Sequence, residues 1–340
     1  MQEKDLVVVT GASGFIAQHT IKILLEKGYA VRGTVRDLGR IERLTTSLAA
    51  QCDVTNLSFA KVDLSDDEGW DTALGGAKYL LHMASPLPVE QPEDENDLII
   101  PARDGALRAL KAAVAAQVSR IVMTSSIASV SGGLDSTATF NESHWSDITQ
   151  DIGPYPKSKT IAERAAWDYI KSLPEEDRPE LTMINPGFVL GPLIDPDTSA
   201  SHEVVRRLLS GQVPGIPDIG FSLVDVRDVA AAHVAALTAT DAPGNRYICV
   251  TGYMDYYDVA KQLHAHLAGT DFKIPLRRIP SWLVRLMANF NPTLKLIVPR
   301  LGQTPQFDTA RIRHDLDWQP IDLDTSLIET VDSLIEHKIV

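Results

Sequence analysis

A tyrosine, a lysine and a serine in the middle of the chain have the types and spacing that acid–base chemistry at a carbonyl group needs. Tyr155 and Lys159 lie four residues apart in Y-P-K-S-K, so a helix places both side chains on one face. A phenol, with a reference pKa of about 10, is a poor acid–base catalyst at neutral pH, and a neighbouring ammonium favours its ionised form. A serine of the pair Ser125-Ser126 can donate to a carbonyl oxygen as negative charge develops on it. A surface i,i+4 pair is the alternative for Tyr155 and Lys159 considered alone.

A glycine-rich stretch near the amino end indicates where an anionic ligand would lie. Residues 6–17 read L-V-V-V-T-G-A-S-G-F-I-A, an apolar run followed by Gly-x-x-Gly-x-x-Ala. The order predicts a strand, a turn and a helix: Gly11 permits the tight turn, Gly14 lets a ligand approach the backbone, and Ala17 lets the helix pack against the strand. The helix N-terminus offers free N–H groups and the positive end of its dipole, which suit a pyrophosphate. A purely structural turn is the alternative for this stretch on its own.

The end of the second predicted strand favours NADP over NAD as the ligand. Dinucleotide-binding folds use an acidic residue at this place for the ribose hydroxyls of NAD, whereas an arginine suits the 2′-phosphate of NADP. This chain has Val35 there, followed by Arg36, and a guanidinium is a fork-shaped, permanently charged partner for phosphate. Asp37 leaves NAD open as an alternative, and a solvated strand end is the structural alternative for Arg36.

The alternation of apolar segments predicts an α/β fold, a doubly wound (Rossmann) parallel sheet with a smaller C-terminal substrate-binding lobe. Short apolar strands without period-two alternation are typical of a sheet covered on both faces. We expect residues 1–190, with 221–250 and 306–320, to form the NADP-binding domain, 191–220 and 251–305 the lobe, and 321–340 a C-terminal helix. The predicted strands are 6–9, 30–35, 57–62, 79–84, 120–124, 181–185 and 246–250. The main predicted helices are 40–50, 102–117, 157–171, 202–209, 224–237, 256–267, 282–290, 308–314 and 323–338.

Composition limits the partners and the compartment. The 340 residues carry a formal charge of -13, which argues against nucleic acid and anionic membranes. Cys52 and Cys249 provide neither a disulfide framework nor metal-ligand spacing, which fits a reducing cytosol. M-Q-E-K-D leads directly into the first strand without room for a signal peptide, and no apolar run approaches the ~20 residues that span a bilayer. We therefore expect a cytoplasmic monomer or homodimer that binds a small molecule and no nucleic acid, membrane or metal.

Other conspicuous side chains have structural explanations. His82 lies within an apolar strand, where a satisfied core or cofactor-lining histidine is expected. His264 and His266 would lie on opposite faces of a helix, so they are not expected to share a metal. Five apolar residues with helical spacing are predicted to pack in the core, with the lining of an apolar substrate site as the alternative. They are Trp282, Leu283, Leu286, Met287 and Phe290.

Taken together, the motifs resemble those of the extended short-chain dehydrogenases/reductases. The resemblance is to the group containing dihydroflavonol 4-reductase, cinnamoyl-CoA reductase and the microbial aldehyde or methylglyoxal reductases, and it covers nearly the whole chain. It rests on T-G-A-S-G-F-I-A at 10–17, V-R-G-T-V-R-D at 31–37, H-M-A-S-P at 82–86, N-E-S-H-W-S-D at 141–147, Y-P-K-S-K at 155–159, A-E-R-A-A-W at 162–167, N-P-G-F-V-L-G-P at 185–192 and V-D-V-R-D-V-A-A-A-H at 224–233.

This resemblance implies an NADPH-dependent reductase of aldehydes or ketones. Ser126 would polarise the carbonyl, Tyr155 would donate the proton, and Lys159 would hold the nicotinamide ribose and tune Tyr155; Ser125 is the alternative serine. Arg36 would contact the 2′-phosphate, with Arg43 as a second candidate. The remaining implied cofactor contacts are Gly11, Ser13, Gly14, Phe15 and Ile16 at the phosphates, Asp63 and Leu64 at the adenine, Met83, Ala84 and Ser85 at the middle, Pro186, Gly187 and Val189 at the carboxamide, and Ser201. A helix N-cap is the alternative for Asp63.

Two departures separate this chain from the plant enzymes of the group. Flavonoid reductases carry an asparagine where Ser131 stands, and cinnamoyl-CoA reductases have an asparagine–tryptophan–tyrosine signature where this chain has D-I-G-P-Y. A broader aldehyde or ketone reductase fits better. A sugar-nucleotide epimerase or dehydratase is the second hypothesis, although such enzymes usually have an acidic residue at Val35 or an Asp-Glu pair at Ser126-Ile127. A non-catalytic NADP-sensing protein is the third hypothesis, although such proteins typically lose the Tyr/Lys pair, which this chain retains.

Overall fold

The computed structural model contains both strands and helices, and it describes residues 4–86, 94–135 and 137–340. Residues 1–3, part of the stretch M-Q-E-K-D, lie outside this range. The strands are β1 Leu6–Val9, β2 Ala30–Val35, β3 Leu57–Lys61, β4 Tyr79–His82, β5 Arg120–Thr124, β6 Thr139–Phe140, β7 Glu180–Pro186, β8 Phe188–Leu190, β9 Ile216–Pro217, β10 Gly220–Asp225, β11 Arg246–Cys249, β12 Gly252–Asp255, β13 Arg278–Ile279 and β14 Gln306–Phe307. The helices are α1 Phe15–Glu26, α2 Ile41–Ala49, α3 Trp70–Leu74, α4 Asn96–Ala115, α5 Pro154–Ser172, α6 Ala200–Leu209, α7 Val226–Ala236, α8 Tyr256–His266, α9 Ser281–Met287, α10 Pro292–Ile297, α11 Ala310–Asp315 and α12 Leu323–Glu336.

Seven of these strands form one sheet in the order β11-β7-β5-β4-β1-β2-β3, and every pairing within it is parallel. Helices cover both faces, so Val7, Val8 and Val9 of the central strand β1 are fully buried, which explains its continuous apolar run. The predicted doubly wound fold is confirmed. The strand order reverses between β1 and β4, and folds of this type bind ligands in the crevice outside the carboxyl ends of the strands at that point.

A second, smaller apolar core lies beside the large sheet. It surrounds the three-stranded sheet β12-β10-β8 and includes buried residues of α6, α8 and α12, such as Leu208, Leu263 and Leu327. Strand β10 is not predicted by the sequence pattern, which continues a helix back to residue 224. The helix α7 instead begins at Val226, because the Asp225 carboxylate caps it by accepting the Arg227 N–H at 2.8 Å. No helix in the described ranges is long and apolar enough to cross a membrane.

The apolar residues of α9 and the segment after it are mostly exposed, so the prediction that they pack in the core is wrong. Trp282 is 67% exposed and Phe290 is 86% exposed, and Leu286 and Met287 are exposed as well. The seven-residue helix buries Val284 instead. Helical spacing identifies residues that share a face, but it does not say which face meets the core.

Candidate active site

The glycine turn between β1 and α1 packs tightly against the end of β4. Gly11 has φ +68°, which favours glycine, and a Cβ there would lie 3.1 Å from the Ala84 Cα. Gly14 is exposed at the start of α1, where no side chain in the described part of the chain caps the first N–H groups and no acidic residue occupies the first turn. Phe15 contacts the His202 ring of α6 at 4.4 Å between centroids. The turn therefore presents free N–H groups next to the crevice between β1 and β4, where the strand order reverses, as an anion site requires.

His82 supports the backbone at the end of β4 through Thr10. The Thr10 hydroxyl oxygen accepts the N–H groups of Met83 and Ala84, each at 3.0 Å, so its own hydrogen points to Nδ1 of His82, also 3.0 Å away. Burial lowers the pKa of His82 to about 4. The ring is thus a neutral, satisfied core histidine, as expected from its place in an apolar strand.

Helix α5 brings Tyr155 and Lys159 together. It begins at Pro154, three residues before the predicted start, because a proline fits the first turn, where the backbone N–H has no helical partner. The Lys159 Nζ lies 5.9 Å from the centroid of the Tyr155 ring, so the two side chains share a face as their spacing predicts. Lys159 also lines a small cavity of about 10 Å³ together with Ala84 and Ser125. The helix therefore presents the pair at the carboxyl ends of β4 and β5.

The two serines after β5 make different contacts. The Ser125 hydroxyl donates to the buried Glu163 carboxylate. The Ser126 hydroxyl oxygen accepts the Ala128 N–H at 3.1 Å, and no described residue accepts its hydrogen. Ser126 can therefore donate to a ligand oxygen, whereas the Ser125 hydroxyl already donates its hydrogen to Glu163.

Three arginines lie in and after the loop that follows β2. Arg36 is exposed at the end of that strand. Arg43 forms ion pairs of 2.9 Å with both Asp195 and Asp197. Arg40, which is not among the residues that the sequence predicts for this site, donates to the Ser13 hydroxyl at 3.3 Å and pairs with Asp197. Its place in the same basic segment after β2, between Arg36 and Arg43, is the signal that could have identified it.

Asp63 forms a turn after β3 and does not cap a helix. Its carboxylate accepts the N–H of Ser65 at 2.8 Å and the hydroxyl of the same residue at 2.7 Å. These hydrogen bonds lower the pKa of Asp63, and the one from the backbone N–H has the larger effect. Helix α3 begins only at Trp70. The carbonyl of Leu64 accepts from Arg108, so the pair predicted for the adenine lies in a fixed turn at the sheet edge.

The residues predicted for the carboxamide lie where β7 leads into β8. Pro186 is the last residue of β7 and is buried. Gly187 lets β10 approach, because a Cβ there would lie 2.3 Å from the Ser222 carbonyl oxygen. The Ser201 hydroxyl donates to the Val189 carbonyl, which joins these two predicted cofactor residues. The close packing against β10 therefore explains why a glycine occupies position 187, independently of its predicted contact with a cofactor.

Known proteins are similar to this chain in sequence and in fold. The model of the NAD dependent epimerase/dehydratase family matches residues 7–250. Cinnamoyl-CoA reductase 1 of Arabidopsis thaliana is 38% identical over 247 residues, covering 71% of this chain and 69% of the relative. An anthocyanidin reductase of Vitis vinifera is 31% identical over 312 residues and 87% of each chain.

Two of the similar solved structures are complexes with NADPH. Yeast methylglyoxal/isovaleraldehyde reductase Gre2 complexed with NADPH has a TM-score of 0.81 and 27% identity, covering 98% of this chain and 99% of that one. Gre2 of Candida albicans in complex with NADPH has the same TM-score, 29% identity and the same coverage.

Proposed function

The chain belongs to the NAD dependent epimerase/dehydratase family, and we propose that it reduces an aldehyde or ketone to an alcohol with NADPH. Ser126, Tyr155 and Lys159 are the proposed catalytic residues. One observation carries the proposal: Lys159 lies 5.9 Å from the Tyr155 ring and borders the same cavity as Ser125 and Ala84. The reductases among the similar proteins support this activity over others of the family.

The residues around the glycine turn fit a phosphorylated dinucleotide. The free N–H groups at the start of α1 suit its pyrophosphate, and Arg36 and Arg40 provide guanidinium groups for a 2′-phosphate beside Ser13. Val35 stands where NAD-binding relatives need a carboxylate. We therefore propose NADPH as the cofactor, which supplies the hydride when bound.

The three catalytic residues have different roles at the carbonyl oxygen. The Tyr155 hydroxyl donates its proton to the carbonyl oxygen as that oxygen gains negative charge. The Lys159 ammonium stabilises the phenolate that remains, because opposite charges close together favour the charged form of each. The Ser126 hydroxyl, whose hydrogen is free in the described structure, donates a hydrogen bond to the same substrate oxygen.

A sugar-nucleotide epimerase or dehydratase is the second candidate, because the matching family model carries those activities in its name. Against it, Val35 is not acidic and Ser126-Ile127 is not an Asp-Glu pair. A non-catalytic NADP-sensing role is less well supported, because the Tyr155–Lys159 pair is present and assembled.

A screen of NADPH oxidation tests the proposal. Aryl aldehydes, methylglyoxal, β-keto esters and bulky ketones are each offered with NADPH and with NADH, and sugar nucleotides are assayed in parallel by product chromatography. We expect NADPH oxidation with at least one carbonyl class, and a rate lower by orders of magnitude in Tyr155→Phe. Conversion of a sugar nucleotide without oxidation of NADPH by any carbonyl compound would favour the second candidate.

A further inference from the structure

A buried ion pair lies next to the end of β5, the strand that the active-site serines follow. Glu163 follows Lys159 by one turn on α5, and its side chain is fully buried. Its Oε1 accepts from Nε of Arg246, at the start of β11, at 2.6 Å, and the Arg246 side chain is also buried. A buried pair overcomes its desolvation only where the remaining lone pairs and protons find partners.

The second carboxylate oxygen of Glu163, which also lies 3.4 Å from Nη2 of Arg246, accepts from three further side chains. Besides the Ser125 hydroxyl, the Ser129 hydroxyl lies 2.6 Å from it and the Asn185 amide nitrogen lies 3.0 Å from it. These donors come from the end of β5, the turn that follows it and the end of β7. Glu163 therefore connects the catalytic helix to two neighbouring strands of the sheet.

Two of these donors, Ser129 and Asn185, also hold the main chain of Ser126. Its carbonyl oxygen is 2.7 Å from the Ser129 hydroxyl and 3.3 Å from the Asn185 amide nitrogen. The Ser129 N–H donates to that carbonyl as well, at 3.0 Å. Because these contacts fix the backbone at Ser126, they also fix the direction in which its side chain leaves the backbone.

The motif N-E-S-H-W-S-D at 141–147 surrounds Arg246 on the other side. The guanidinium donates to the carbonyl of Glu142 at 2.9 Å and to that of His144 at 2.7 Å, and it lies 3.8 Å from the centroid of the Trp145 ring. The arginine is thus held by the motif and in turn neutralises Glu163. This gives a physical role to a segment that has no part in the chemistry proposed above.

We infer that Glu163 is a positioning residue, which acts through Ser129 and Asn185 to orient the Ser126 hydroxyl toward the carbonyl oxygen that Tyr155 protonates. The inference rests on the proposed function. Tyr155 and Glu163 lie eight residues apart on α5, so the helix that presents the phenol also carries the carboxylate that aligns the serine.

A double-mutant cycle between Glu163→Gln and Ser126→Ala tests this inference. The glutamine amide retains the size of the side chain, but it offers one acceptor oxygen. The donors around Glu163 use both oxygens of its carboxylate. We expect Glu163→Gln alone to lower kcat by about 100-fold, since a small misplacement of a reacting group costs that much, with the dissociation constant for NADPH unchanged. Ser126→Ala alone should lower kcat by about 100-fold. The double variant should be no slower than Ser126→Ala, because residues that act as a unit are non-additive.

Two further variants keep the test decisive if Glu163→Gln folds poorly. Ser129→Ala removes one hydroxyl between Glu163 and Ser126 and should show the same loss of additivity with Ser126→Ala. Glu163→Asp retains the charge and should recover part of the kcat. Asp225→Asn is the matched control, because Asp225 is an equally buried carboxylate paired with an arginine, and it should lower stability without coupling to Ser126.

The possible results separate the two proposals. Loss of about 10⁴-fold in the double variant, the product of the single effects, would show that Glu163 acts independently of Ser126 and would overturn the inference while leaving the proposed function intact. Normal turnover in Ser126→Ala would overturn the proposed mechanism and the inference with it.

Discussion

The Arg40 guanidinium lies between the Ser13 hydroxyl, 3.3 Å away, and the Asp197 carboxylate. Arg43 pairs with the same carboxylate. Two cations beside the glycine turn are therefore neutralised within the protein, and a phosphate that binds them must compete with Asp197. This competition provides a test of where the 2′-phosphate lies.

Replacing Asp197 by asparagine should tighten the binding of NADPH. The change frees Arg40 and removes one of the two carboxylates that pair with Arg43. A partly exposed pair of this kind contributes up to about 1 kcal/mol, so we expect a roughly two- to fivefold lower dissociation constant. Binding of NADH, which lacks the phosphate, should not change. Asp5→Asn, which removes a comparable pair with Lys78, is the control. An equal gain for NADH in fluorescence titrations would place the phosphate elsewhere.

Alanine at Arg36 or Arg40 should have the opposite effect. Losing a charge-assisted hydrogen bond costs about 1.5–3 kcal/mol, so KM for NADPH should rise by roughly 10- to 100-fold while KM for NADH stays nearly constant. Arg32→Ala is the matched control. Its guanidinium donates to the carbonyls of Thr72, Ala73 and Gly75, so it stabilises the end of α3 and should not alter cofactor preference. Equal effects on both cofactors would refute the assignment.

Four buried histidines should make the fold sensitive to acid. Burial lowers the pKa of each from 6.5 to about 4. Between pH 6.5 and pH 4 the unfolded chain binds protons at these histidines that the folded chain does not. The stability that the neutral rings contribute is therefore complete above pH 6.5 and is lost as the pH falls toward 4. The residues are His19, His82, His202 and His233.

One carboxyl group opposes this trend. Burial raises the pKa of Asp228 to about 6, so the folded chain gains stability from it as the pH falls below that value. One such group does not offset four histidines, and urea midpoints should decrease steadily from pH 6.5 to 4. His233→Gln should flatten this dependence, whereas His314→Gln, at an exposed site, should not. An unchanged pH profile in His233→Gln would be evidence against the role of the buried ring.

Gly187→Ala should destabilise the fold. The new Cβ would lie 2.3 Å from the Ser222 carbonyl oxygen, so β7 or β10 must shift, at a cost of about 1–3 kcal/mol. Gly252→Ala is the control, because its Cβ would meet only a leucine side chain at an ordinary distance of 3.4 Å. Chemical denaturation measures both. Equal midpoints for the two variants would show that the close approach is not restrictive.

Features that depend on spacing within one element could be predicted from the sequence. The strand–turn–helix at Gly11, the seven parallel strands and the shared face of Tyr155 and Lys159 all follow from local patterns. The exposed face of α9 could not be predicted, because periodicity alone does not distinguish an inner from an outer stripe.

Contacts between distant segments could not be predicted either. Arg40 meets Asp197, 157 residues away, and Glu163 meets Arg246, 83 residues away. Such pairs depend on how helices and strands pack in three dimensions, and a single sequence does not specify this. The serine that is free to donate, Ser126 rather than Ser125, likewise became apparent only once the partner Glu163 was located.

The rate of NADPH-dependent carbonyl reduction by Tyr155→Phe tests the central claim most directly. The variant retains the ring beside Lys159 and removes only the hydroxyl that donates the proton. With the best substrate of the screen, kcat should fall by about 10²- to 10⁴-fold, as expected for loss of a general acid, while the dissociation constant for NADPH stays the same. A Tyr155→Phe enzyme that reduces the substrate at a near-normal rate would contradict the mechanism.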